Sequence, residues 1–259
     1  MNTININNSL KKIAYVLLPL SSLIMLVLVW IIGAKSAMIP APVEVYERFI
    51  QLLEHPVSKI SVLGHIWASL LRVIKALGLS IIIGIPFGLL IGGNHTFCSL
   101  FKPLFELFRP LPPIAWIPLI SLWFGVGESA KIAIVFIGTF MPIVVNSYTG
   151  VEAIPRITTD AAISFGANRW QLLFDIMLPA SIPAIFAGIR SALSTGWMVV
   201  LAAEMISSKA GLGFLIIRGS DSNDIALTMV SMVLIGIIGA ILAYGFDYIE
   251  RWMCPWNKK

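Results

Sequence analysis

The chain has 259 residues, of which 58% are hydrophobic and only 12% charged, with a mean hydropathy of +0.91. Such a composition cannot cover a water-soluble globule with polar surface, so the chain reads as an all-α integral membrane protein. The formal net charge of +5 is small and dispersed, which gives no footprint for nucleic acid.

Taken in order, Met1 to Lys12 is a polar, Asn-rich tail, and Ile13 to Ala34 runs without a charge. A stretch of that length crosses about 30 Å of hydrocarbon. A signal peptide is the competing reading, but its apolar core spans only about 7–15 residues, so a retained transmembrane helix is expected. Pro40-Ala41-Pro42 then breaks the chain, and Val43 to Leu53 places charges beside Val45, Phe49 and Leu52 at helical intervals. That pattern suits an interfacial helix. Ala76 to Gly93 is a second uncharged run, with Gly84, Gly88 and Gly92 on one helical face where a neighbour can approach closely.

Asn94 to Arg109 reads as a short polar stretch, followed by the uncharged Pro110 to Gly127. Pro110, Pro112, Pro113 and Pro118 make this third span a broken or bent helix, tolerated in a membrane where it lines protein or water. Ile132 to Val151 is a fourth span, Ala180 to Ile206 a fifth and Ile225 to Phe246 a sixth. Glu204 to Asp224 reads as a loop around the turn signal Gly211-Leu212-Gly213. The expected organisation is a tail and first span over 1–36 and an extracytoplasmic connector over 37–64. A helical core over 65–252, with a cytoplasmic loop over 152–179, and a cytoplasmic tail over 253–259 complete it.

Between the fourth and fifth spans lies Thr158 to Pro179, TTDAAISFGANRWQLLFDIMLP. It reads as two short helices. Thr158 and Thr159 are candidate caps, with Asp160 in the first turn where the helix dipole favours an acid. Ala161, Ala162, Ile163, Ser164 and Phe165 continue to Gly166, a left-handed stop. After Ala167, Asn168 caps a second helix beginning at Arg169, with Gln171 in capping-box position. Trp170, Leu173, Phe174 and Met177 form an apolar stripe, and Pro179 is expected to close the unit. From the pattern alone, a docking element and an amphipathic connector lying on lipid headgroups both fit.

The order Asp160-Ala161-Ala162, then Gly166, Ile176 and Leu178-Pro179, resembles the Glu-Ala-Ala loop of ABC importer permeases, with Asp160 in place of Glu. The stretch ELFRPLPPIAWIPLISLWFGVGESAKI (Glu106 to Ile132) resembles the permeases for taurine, aliphatic sulfonates, nitrate and bicarbonate, the taurine branch above all. The resemblance covers about Pro40 to Trp256. It implies six transmembrane helices in a type I importer permease fold (MetI-like). It also implies a coupling role for Asp160 to Arg169 against an ATPase. The implied partners are a second permease chain, expected as a homodimer, two cytoplasmic ATPase subunits and an extracytoplasmic solute-binding protein. The solute it implies is a small anion, taurine or another alkanesulfonate first, then nitrate, bicarbonate or a pyrimidine precursor.

The chemistry that is missing fits a transport subunit. Gly125-Val126-Gly127-Glu128-Ser129 lacks the lysine of a phosphate-binding loop, so ATP is expected on partner subunits and no cofactor on this chain. Cys98 and Cys254, and His55, His65 and His95, sit in no metal or nucleophile pattern. An intramembrane enzyme is the alternative class, and it needs mutually reachable titratable groups. Arg190 is the one charge expected well inside a span. With Ser194 and Trp197 it shares a helical face that is either a translocation surface or a snorkelling arginine's surroundings. Counting Lys and Arg gives nine on the side of the termini, Lys102 and Arg109 among them, and eight on the other. That bias sets the cytoplasmic orientation of both termini only together with the coupling-loop resemblance.

Overall fold

Every regular element among the described residues is helical. The structure is a computed structural model that describes residues 21–22, 24–34 and 39–253. Helix α1 (Ile24–Gly33) belongs to the expected first span, whose remaining residues lie mostly outside the described ones. Helix α2 (Pro42–Glu54) is the expected interfacial helix, burying Val45 and Leu52. It starts on a proline, and Glu44 reaches back to the Ala41 N–H at 3.1 Å.

Among the described residues four helical stretches are long and apolar enough to cross a membrane: Val62–Gly93, Glu128–Glu152, Arg169–Ile206 and Ile225–Met253. We name the first α3 (Val62–Gly93), the second α6 (Glu128–Glu152) and the last α11 (Ile225–Met253). Helices α4 (His95–Phe108) and α5 (Ile117–Phe124), with a 3-10 turn at Pro113–Trp116, are bent by 91°, the geometry of a broken span or of a re-entrant loop. The prolines of the sequence sit at that bend, as expected. Asn94 to Arg109, however, is a full helix rather than a short polar stretch. Asn94 caps it through the amides of Thr96 and Phe97, and its Phe105 packs with Phe87 and Phe140.

Helices α3, α6 and α9 (Leu178–Ser207) form the packed centre. The expected bare face of α3 is what admits α6. A Cβ on Gly88 would lie 2.5 Å from the Ser147 Cβ and 2.7 Å from the Val144 carbonyl oxygen. Gly188 plays the same part on α9, where a Cβ would meet the Asn146 Cβ at 2.7 Å. Backbone-to-backbone approach of this kind replaces the hydrophobic drive that lipid does not supply.

Three local expectations are corrected. Helix α7 (Arg156–Ser164) starts behind Pro155, so Thr158 and Thr159 lie inside it and do not cap it, and Asp160 lies past its first turn. Thr159 instead donates to the Arg156 carbonyl at 2.8 Å. Pro179 does not end the second helix. The turn α8 (Arg169–Gln171) runs into a π-helical stretch, Leu172–Met177, and then directly into α9. The Leu178 amide reaches back to the Leu173 carbonyl, five residues away, and this wide turn accommodates a proline ring and its missing donor. Finally, Glu204 to Asp224 is not a loop: it contains α10 (Leu212–Asp221), which packs on α9 and α11.

Candidate functional site

The segment between α6 and α9 is built by local sequence. The Gly166 amide donates to the Ile163 carbonyl at 2.9 Å and the Ala167 amide to the Ala162 carbonyl at 3.0 Å, the paired bonds of a Schellman stop. Gly166 has φ of 84°, the left-handed conformation the motif requires. Asn168 then accepts from the Gln171 amide at 2.9 Å while the Gln171 side chain accepts from the Asn168 amide at 2.8 Å. The expected turn and capping box are therefore both present. Asp160, Ala161, Ser164, Phe165, Gly166, Asn168 and Arg169 are exposed, and Ala162 and Ala167 half-buried.

The apolar stripe of the second helix divides. Leu173 and Met177 pack into the core beside Ile185 and Ile189. Trp170 and Phe174 stack on each other, 5.9 Å apart, and face outward. With Ile157, Ile163 and Phe165, the last 93% exposed, they make an apolar surface at the end of the molecule. A continuous helical path joins that surface to α9.

At the opposite end of α9 lies a cluster that sequence reasoning missed. Arg72 on α3 donates to Glu204 at 2.5 Å and, through two nitrogens, to Glu128 at 2.6 and 2.7 Å. Lys131 donates to Glu128 at 3.0 Å. The other Glu204 oxygen accepts from Ser69 at 2.9 Å and from the Gly213 amide at 3.0 Å. The Leu212 amide donates to Ser69 at 3.0 Å and the Gly211 amide to His65 Nδ1 at 3.1 Å. That bond puts the imidazole proton on Nε2, which lies 3.4 Å from the Val57 carbonyl. The first turn of α10 is thus capped by side chains of α3 and α9, and a carboxylate sits at its positive end. Arg190 is therefore not the one charge well inside the spans. The argument against an enzyme that rested on its isolation does not stand. What the cluster lacks is an unpaired reactive group: each of its charges is engaged by an opposite one.

Arg190 itself reaches α11. It donates to Glu250 at 2.5 Å and to Asp247, and Arg251 donates to Asp247 at 2.6 Å. Trp197 is buried and packs on Gly239 of α11, while Ser194 is exposed and bonds the Arg190 carbonyl. The face carrying Arg190 and Trp197 is therefore turned to α11. It forms a seam between two helices, and the two arginines there meet two carboxylates.

A different polar space opens between the bend, α6 and α9. This cavity of about 310 Å³ is lined by Arg109, Trp116, Asn146, Ser191 and Thr195 among others, and Arg109 is the only charged residue of its lining. Its α6 wall runs from Ile137 to Asn146, about 22 and 9 Å from the Glu152 end of that helix at 1.5 Å per residue. The space lies part-way along α6. Arg109, expected in a loop on the side of the termini, lines it instead.

A helical bundle with several spans long enough to cross a membrane, a cavity between helices and an exposed apolar surface at one end is the architecture of an integral membrane protein. Residues 84–259 match the sequence profile described as binding-protein-dependent transport system inner membrane component. The chain is 32% identical to the taurine transport system permease protein TauC of Escherichia coli, over 93% of this chain and 90% of that one. It is 31% identical to the bicarbonate transport system permease protein CmpB of Synechococcus elongatus, over 94% and 91%. An inward-facing crystal structure of the MetNI methionine ABC transporter shares the fold, with a TM-score of 0.65 and 19% identity over 82% of this chain and 99% of that one. The chain belongs to the family of binding-protein-dependent inner-membrane transport components, as a MetI-like ABC importer permease. It is a transport subunit and not an enzyme.

Proposed function

We propose that the chain carries a small anion across the cytoplasmic membrane, driven by ATP hydrolysis on two partner subunits that dock on Asp160 to Arg169. The observation that carries this reading is the apolar surface around Phe165, 93% exposed and continuous through a helix with α9. Exposed aromatic residues of this kind mark an interaction site. A second permease chain, as a homodimer, and an extracytoplasmic solute-binding protein complete the assembly. The similarity to TauC makes taurine or another alkanesulfonate the first solute to test, with bicarbonate and nitrate next.

Purified alone, the chain is expected to hydrolyse no ATP. With its ATPase subunits in proteoliposomes, hydrolysis should appear and rise when solute-loaded binding protein is added. Hydrolysis by the isolated chain, or no association with the ATPase subunits, would refute the reading.

A further inference from the structure

We infer that the cavity between the α4–α5 bend, α6 and α9 holds the solute in transit, and that it takes a small oxoanion whose charged head is received by Arg109. This rests on the small-anion reading above and assigns it a place. Among the described lining residues Arg109 is the sole charged one. Glu106 forms a loose ion pair with it, Oε2 standing 3.6 Å away and beyond hydrogen-bond distance, while Oε1 accepts from the Tyr148 hydroxyl at 2.9 Å. Arg48, Arg72 and Arg251 each meet a carboxylate within 2.7 Å. The Arg109 fork thus keeps donors for a ligand, and a planar guanidinium matches a sulfonate, carboxylate or nitrate in two-point fashion.

The Arg109 side chain is 60% exposed. Asn146 gives one amide hydrogen to the Pro142 carbonyl at 2.8 Å and keeps the other. The Thr195 hydroxyl donates to the Ser191 carbonyl at 3.0 Å, which leaves its oxygen as an acceptor for water or for an ammonium group such as taurine carries at the end opposite its sulfonate. Trp116, Met141 and Val145 supply apolar wall for a short carbon chain. About 310 Å³ is the volume of roughly ten waters, enough for a sulfonate of a few carbons. The Arg190 seam offers no comparable place, because Asp247 and Glu250 already occupy its guanidinium.

The test uses the chain with its ATPase subunits and binding protein in proteoliposomes, and labelled taurine, nitrate and bicarbonate as probes. The readout is anion moved per ATP hydrolysed. Arg109→Gln is expected to lower that ratio by roughly tenfold, the factor that loss of one charge-assisted hydrogen bond brings. Arg109→Lys should fall between, and Thr195→Val should lower the ratio by about threefold. A purely structural role would depress transport and hydrolysis together and leave the ratio unchanged, which would overturn the proposal. Should Arg109→Gln fail to assemble, a wild-type ratio in both Arg109→Lys and Thr195→Val would overturn it equally. If the unsubstituted transporter moves none of the three anions, the small-anion reading fails and the proposal with it. If it moves one and Arg109→Gln moves it as well, the site alone fails.

Discussion

Gly166 shows how far a single residue can be read from sequence. Its left-handed φ and both Schellman bonds depend on neighbours within five positions, so the pattern was legible locally. A Cβ there meets nothing within 4 Å, so a side chain has room and only the backbone objects. Gly166→Val should therefore cost about 1–3 kcal/mol of local strain while the spans still insert. Gly166→Asn, which tolerates the left-handed region, should cost less. Co-purification of the ATPase subunits checks this: retention should fall for Val and persist for Asn. Equal retention by all three forms would mean that the turn merely ends a helix. The Arg72–Glu204 bond lies at the other extreme, because its residues are 132 positions apart and no periodicity announces them. Arg109 was misplaced for a related reason. Its position depends on the bend that carries it, which the prolines signalled without giving a direction.

At the scale of elements, uncharged runs located the spans well, and errors gathered where a distant partner replaces a local cap. Helix α10 looked like a loop because Gly211 to Gly213 signal a turn, yet its first amides are received by His65, Ser69 and Glu204. The join between α8 and α9 looked like a break because of Pro179, yet a π turn carries the helix through. The Arg190 face offers the next test, since it lies between α9 and α11. Its guanidinium is half exposed and meets two carboxylates, so screening limits the pair with Glu250 to about 0.5–1 kcal/mol. A double-mutant cycle of Arg190→Ala and Glu250→Ala, read by thermal unfolding of the assembled transporter in detergent, should return a coupling of that order. Arg190→Lys should keep uptake. Loss of uptake in Arg190→Lys at unchanged thermal stability would return Arg190 to the translocation path.

For the whole molecule, the apolar surface around Phe165 and the Arg72–Glu204 cluster lie at opposite ends of the run that carries α9. The helical run Arg169–Ile206, about 57 Å at 1.5 Å per residue, is one covalent link between them. Which end faces the cytoplasm follows from the docking reading: the ATPase surface must be inside, and with it the start of α7 and the end of α11. The Lys and Arg count supported this only weakly. Arg109 now leaves that count for the cavity, and Arg72 and Lys131 are neutralised by Glu204 and Glu128. Exposed charges at the ends remain, with Arg156 and Arg169 beside the coupling turn and Lys59 and Lys209 at the far end. Cysteine labelling tests the assignment directly. In a background with Cys98→Ser and Cys254→Ser, Asn168→Cys should react with a membrane-impermeant maleimide only after cells are permeabilised. Ser222→Cys, at the exposed end of α10, should react on intact cells. Labelling of Asn168→Cys from outside would invert the molecule and remove the ATPase dock from the only side where ATP is hydrolysed.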